Sequence, residues 1–326
     1  GLETGVADGE AEDVELTTGQ VVALCTASVA ASVLLIVINK ALFAYAGFKY
    51  VFTLSFLHFA VTAAALRIAA GTFGLFEMKE MPKMTVVKVA AFGVGSIGLM
   101  NLSIYANSLG TYQLFKLLCV PTIIVIKYLK AGEVVSRKVM VALAILLAGV
   151  GCATVTDVTL SSTGLMIGLG AVVSTSQFQI FQGSCQSSAG VTAIQATASV
   201  TPYQAAFAGG IALFVEVPGK NSVLDYEMSV TAAVLMVCSC AGAVAVNLAA
   251  FALIGKTSAV TYQVVGHAKT VLIFTASFIL FPFHGDVVSS LFSITLAIAG
   301  AVLYGHIKAK AKAGEPDVLD LCMSWE

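Results

Sequence analysis

Long apolar runs separated by short polar breaks make up most of this chain. About 20 consecutive apolar residues suffice to cross a bilayer as a helix. Ten such runs stand out, at 20–46, 50–71, 85–107, 110–130, 137–156, 161–183, 190–216, 229–254, 258–282 and 287–308. The pattern predicts an all-α membrane protein of ten transmembrane helices at 19–308, between an acidic head at 1–18 and a tail at 309–326. No soluble catalytic domain fits between the runs. The head begins GLETGVADGEAEDVEL, with six acidic residues and no basic ones, and is expected to be solvated and disordered. It lacks the basic start and cleavage site of a signal peptide, and the opening Gly1 leaves a preceding leader an open question.

Composition agrees with the pattern. Hydrophobic residues form 58% of the chain and charged ones 11%, with a mean hydropathy of +0.95, too apolar for a soluble domain. The net charge of −1 gives no reason to expect nucleic acid as a partner. Basic residues beside the spans set orientation. With a cytosolic N-terminus, that side holds twelve of them, from Arg67 to Lys312, against Lys40, Lys49 and Lys220 opposite. Both termini and the tail are therefore expected in the cytosol. The seven cysteines fall mostly inside apolar runs and read as packing residues. Cys238-Ser-Cys240 has the wrong spacing for a zinc pair and no His cluster accompanies it, so no metal or cofactor is expected.

Two lysines break the apolar pattern. Lys269 lies in SAVTYQVVGHAKTVLIFTASFILFP, about 16 Å into its helix at a rise of about 1.5 Å per residue. A charge at the bilayer centre costs about 2.5–3.5 kcal/mol on insertion scales, so it faces protein or a water-filled cavity rather than lipid. Lys116 lies about 9 Å into GTYQLFKLLCVPTIIVIKYL, with snorkelling to the interface as its alternative. No Asp or Glu lies inside any run; Asp157, Glu216 and Asp286 fall near span ends. Two embedded cations without an embedded carboxylate call for an anion from outside, and the chain reads as a carrier of a negatively charged solute. Sodium coupling and a carboxylate proton relay are disfavoured on the same ground.

The helical faces around these lysines suggest a cavity. Tyr262, Gly266, Lys269 and Ile273 share a face, as do Tyr112, Gln113, Lys116 and Cys119, with Pro121 placed to kink the helix beyond. Further polar candidates are Asn101, Tyr105 and Asn247, Gln177, Gln179 and Gln182 on the sixth span, and Gln195, Ser199, Pro202 and Tyr203 on the seventh. Intramembrane Gln and Asn also serve as glue between helices. His267, about 200° around the helix from Lys269, is expected to pack between helices. Lys40 is either an interfacial anchor or a gate. A weak internal repeat relates NLSIYANSLGTYQLFK to NLAAFALIGKTSAVTYQVVGHAK, five spans apart. An odd number of helices per half inverts the second copy, giving halves of about 19–156 and 161–308 around one cavity.

The stretch IGKTSAVTYQVVGHAKTVLIF, with INKAL, SFLHF around His58, NSLGTYQLFKLLCVP and TPYQ, resembles the nucleotide-sugar transporter and triose-phosphate translocator family of the drug/metabolite transporter superfamily. It is most similar to the Lys-Thr subgroup, which includes plant-type UDP-xylose transporters. The resemblance implies ten helices, an inverted five-plus-five repeat, a Golgi or ER membrane, and exchange of a nucleotide sugar for the nucleoside monophosphate. It implies that Lys269 and Lys116 face the phosphates, with Thr270 following the critical lysine, and makes Tyr262, Tyr203 and Asn247 candidates for the base, ribose or sugar; the shared faces add Gly266 and Tyr112 to the substrate-binding candidates. Plastid phosphate translocators carry arginine where this chain has Thr270, which counts against a bare sugar phosphate.

The expected partners are a UDP-sugar, UDP-xylose first, with UMP and the lipid bilayer; a homodimer is left open, since no span carries a convincing Gly-xxx-Gly face. The nearest alternative is a sugar-phosphate/phosphate translocator of a plastid-type organelle. An intramembrane enzyme on a phosphorylated lipid would need carboxylates for magnesium or base catalysis, and none are placed for it, so no catalytic residue is assigned. A purely structural or receptor role leaves the two lysines unexplained.

Overall fold

A computed structural model describes residues 17–107, 109–154, 161–218, 221–280 and 287–322. Ten long helices stand among the described residues, with no β-strand: α1 (Thr18–Tyr45), α2 (Val51–Gly71), α3 (Lys83–Ala106), α4 (Leu109–Ala131), α5 (Arg137–Thr154), α6 (Ser162–Ala189), α7 (Ala193–Val215), α8 (Val230–Lys256), α9 (Ala259–Leu280) and α10 (Val287–Ala313). A short α11 (Val318–Cys322) follows. Seven of them, among the described residues, are long and apolar enough to cross a membrane by length and composition. Two of the three outside that count, α4 and α9, are the helices that carry Lys116 and Lys269.

Local chemistry sets the helix ends. Thr17 and Thr192 each form a capping box, with Gln20 and Gln195 three residues on. Ser161 and Ser229 cap α6 and α8 by accepting from Gly164 N and Ala232 N. α6 runs six residues beyond the expected end at 183, and Ser187 and Ser188 there donate back to carbonyls of their own helix. It stops at Gly190, whose φ of 55° is left-handed and favours glycine.

The helices pair lengthwise. α1 packs along α8, α3 along α6, α2 along α7 and α5 along α10. Small residues let the α5–α10 backbones touch: a Cβ on Gly149 would fall 2.3 Å from Ala297 N, and one on Gly300 2.3 Å from Leu146 N. Close approach through small residues is the main route to helix association in lipid, where no hydrophobic force separates a leucine from an acyl chain. Here the glycines that looked scattered in the sequence pack two helices of one chain. On α6, Gly168 admits the Phe115 ring of α4, which would lie 2.0 Å from a Cβ there.

Polar contacts close both ends. At one end Glu216 caps α2: Phe52 N, Thr53 N and Thr53 Oγ1 donate to its carboxylate, each at 2.7 Å. A carboxylate at a helix N-terminus also meets the positive end of the helix dipole. Beside it Tyr226 Oη donates to Ala46 O and Tyr50 Oη to Ser222 O, and both rings pack edge-on against Phe48. At the other end Lys79 Nζ donates to Gly190 O and Gln195 Nε2 to Glu77 O, tying the α2–α3 connection to the α6–α7 turn. The tail folds back there as well: Lys138 pairs with Asp317 and Asp320, and Asp317 caps α11 through Leu319 N and Asp320 N.

Candidate functional site

A cavity of about 370 Å³ lies among α1, α2, α3, α4, α6, α7, α8 and α9. Lys116 of α4 and Lys269 of α9 both line it, and no Asp or Glu stands among its described walls. Lys116 Nζ sits 5.7 Å from the Tyr112 ring centroid, a cation–π contact that softens desolvation without neutralising the charge. Of the near-end carboxylates, Glu216 is used as the α2 cap, while Asp157 and Asp286 lie outside the described residues. Two basic side chains drawn into one concave, protein-lined space can accommodate an anion.

Tyr112, Asn247, Tyr262 and Gly266 line the same cavity. Gly266 leaves open space, since a Cβ there would meet only Gln263 Oε1, at 4.0 Å. Asn247 is held by α2, its Nδ2 donating to Thr62 Oγ1 at 3.3 Å, while Thr62 donates to His58 O. His58 Nε2 lies 2.7 Å from Ser239 Oγ, which continues to Asn39, so a polar chain links α2, α8 and α1.

Other expected residues are placed elsewhere. Tyr203 is 39% exposed and does not line the cavity; its neighbour Gln204, about 100° further around α7, does. Gln177 accepts from Lys130 on the surface, and Gln195 works as a cap. The side chains of Thr270 and Lys40 lie outside the described residues, as do those of Asn101, Tyr105 and Gln113. His267, expected to pack between helices, lines the cavity, and its Nε2 has no partner among the described residues. Ser96 and Thr175, 2.6 Å apart across α3 and α6, and Phe178 complete walls that sequence periodicity did not single out.

A larger cleft of about 970 Å³ opens between α1, α9 and α10. Its described walls mix valine and alanine with Thr26, Ser258, Thr261 and Tyr304, with Lys256, His306 and Lys308 near one end, and Val265 lines both spaces. Volume favours this cleft, but chemistry does not. Neither buried lysine reaches it, and a lateral apolar gap is the ordinary surface a bundle presents to acyl chains.

The fold and site define a multi-pass α-helical membrane protein with a cationic central cavity. No protein-family model matches the chain. A UDP-xylose transporter of Arabidopsis thaliana, number 3, is 36% identical over 299 residues, spanning 88% of this chain and 81% of the relative. Number 1 is 35% identical over 301 residues, 89% and 85%. The same plant's UDP-rhamnose/UDP-galactose transporter 2 is 32% identical over 285 residues, 85% and 80%. A solved crystal structure superposes with a TM-score of 0.67 at 15% identity, over 89% of this chain and 98% of its own, a likeness of fold alone. The chain belongs to the nucleotide-sugar transporter family, a family of transporters rather than enzymes.

Proposed function

We propose that this protein is an antiporter exchanging a UDP-sugar, UDP-xylose first, for UMP by alternating access. One observation carries the reading: Lys116 and Lys269 share a cavity whose described walls hold no acid. The substrates for which the relatives are named, UDP-xylose foremost, support the choice of cargo. Substrate phosphates neutralise the two lysines and ease closure of the cavity; an empty, doubly charged cavity closes poorly, which couples the outward and return steps. Thr270 follows Lys269 at the phosphates, Tyr262 and Asn247 serve the uncharged part of the ligand, and Lys40 is a gate.

On this reading all ten long helices span the membrane as an inverted five-plus-five repeat. The pairing of α1 with α8 and of α6 with α3, each helix matched to one five places on, supports that arrangement. The basic-residue asymmetry supports cytosolic termini, and a Golgi or ER membrane is the setting such cargo implies.

The test is counter-exchange in proteoliposomes preloaded with UMP, GMP, CMP or inorganic phosphate, against external radiolabelled UDP-xylose. Uptake dependent on internal UMP is expected. Uptake of triose phosphate against internal phosphate, with none against UMP, sinks the proposal in favour of a sugar-phosphate carrier.

A further inference from the structure

The glutamines of this chain divide into two groups. Those with structural work are partnered: Gln186 donates to Phe251 O at 3.0 Å, Gln195 closes a capping box and reaches Glu77 O, and Gln177 accepts from Lys130. Three others are not. Gln179 and Gln182, one turn apart on α6, and Gln204 on α7 are 5%, 1% and 2% exposed. Among the described residues nothing bonds Gln179 Oε1, Gln204 Oε1 or either polar atom of the Gln182 amide.

All three line the central cavity with the two lysines. Amides that hold helices together bond across them; these do not, so glue is the wrong account of their burial. The scaffold nonetheless makes room for them. A Cβ on Gly93 of α3 would fall 2.5 Å from Gln204 Nε2, so glycine there leaves the amide its place without displacement. Burial of a polar group without a partner is unfavourable, which leaves the partner to arrive with the ligand.

The chemistry narrows what that ligand group is. A primary amide sets a carbonyl acceptor beside an N–H donor, and its bidentate complement is an edge with a donor and an acceptor side by side. Phosphate oxygens only accept and are served by the lysines. A nucleobase edge has the matching pair, as in the Asn and Gln readout of bases. Phe178, on the same helix and in the same cavity, adds an aromatic ring beside the amides.

We infer that Gln182, flanked by Gln179 and Gln204, reads the nucleobase edge of the bound nucleotide and is a determinant of base preference. This rests on the nucleotide-sugar reading above.

The experiment measures binding of UMP and of ribose 5-phosphate, which lacks the base, to the purified full chain and to Gln182→Met and Gln204→Met. Methionine keeps the length of glutamine and removes its donor and acceptor. The unsubstituted protein is expected to prefer UMP by at least about tenfold, and Gln182→Met to lose most of that margin with ribose 5-phosphate affinity held within about twofold. Without ligand, Gln182→Met should melt at the same or a higher temperature, because an orphaned amide is replaced by an apolar group of like shape. A lower melting temperature with the UMP margin intact assigns Gln182 to the scaffold and overturns the inference. So does an intact margin in both variants, or a margin intact for UMP but lost between UDP-xylose and UDP, which moves the amides to the sugar. Failure of the unsubstituted protein to bind UMP, with ribose 5-phosphate bound normally, strikes the nucleotide-sugar reading itself.

Discussion

The central cavity and the α1–α9–α10 cleft share Val265 as a wall and differ in almost everything else. The cleft has about 970 Å³ and walls in which valine and alanine alternate with hydroxyl side chains; the cavity has about 370 Å³ and gathers Lys116, Lys269 and, among the described residues, the unpartnered amide oxygens of Gln179, Gln182 and Gln204. Apolar walls are at no disadvantage against lipid tails, so the valines and alanines of the cleft need no ligand to account for them. Buried cations and orphaned amides are unfavourable as they stand, and only a bound group of opposite character relieves them. Unrelieved burial, rather than size, is the ground on which the central cavity is proposed as the site.

The largest effect that tests this contrast is loss of a lysine. Lys269→Ala should reduce counter-exchange by at least about thirtyfold, on the scale of about 2–5 kcal/mol for losing one buried charge partner. The purified variant should melt no lower than the parent, because an uncompensated buried charge has gone. Full exchange by a well-folded Lys269→Ala protein would end the case for the cavity.

A matched pair of glycines sharpens the comparison further. Gly266 lines the cavity and Gly305 the cleft, and each has space for a side chain. Gly266→Leu should weaken UMP affinity by more than about tenfold, through steric exclusion from a well-formed site, while Gly305→Leu leaves it within about twofold. Reversal of that order in a competition assay would move the site into the cleft.

Scaffold substitutions should act oppositely, on stability and not on affinity. Glu216→Ala removes the acceptor of three 2.7 Å bonds at the start of α2. A loss of about 1.5–3 kcal/mol is expected, the range for hydrogen bonds to a charged group. It would appear as a lower melting temperature with unchanged UMP affinity.

The smallest effect belongs to the tail. Burial pushes the Asp317 carboxyl up, but Lys138 and the N–H groups of Asp320 and Leu319 outweigh it and hold the group below its ordinary value. A carboxylate depressed in the folded state contributes stability above its unfolded pKa of about 3.9 and loses it as pH falls through the folded value. The protection factors of the Leu319 and Asp320 amides, with the intrinsic pH dependence of exchange divided out, should therefore fall only below about pH 4, and Lys138→Ala should lower them already at neutral pH.

Part of the site is legible in the order of residues alone. Lys116 and Lys269 are conspicuous because a charge in an apolar run has few tolerable places to go. Gly266, one turn before Lys269, follows from helical spacing. Tyr203 and Gln204 show where that reasoning stops. A membrane helix is apolar nearly all round, so periodicity does not tell which of two adjacent polar residues faces inward. The same ambiguity covers Gln177 against Gln179 and Gln182, and His267 on the far side of α9 from Lys269. The extent of α6 escapes the hydropathy pattern because its last turns are polar, ending in Ser184, Gln186, Ser187 and Ser188.

What the sequence determined by itself is the membrane class, the helix order and the two cations, since these depend on local composition and on the free energy of moving a residue between water and lipid. Which faces meet was decided only by tertiary packing. The contacts of Gly149 with Ala297, of Gly93 with Gln204 and of Gly168 with Phe115 join residues far apart in the chain. Nothing in the composition of one apolar helix states which neighbour its small residues will admit.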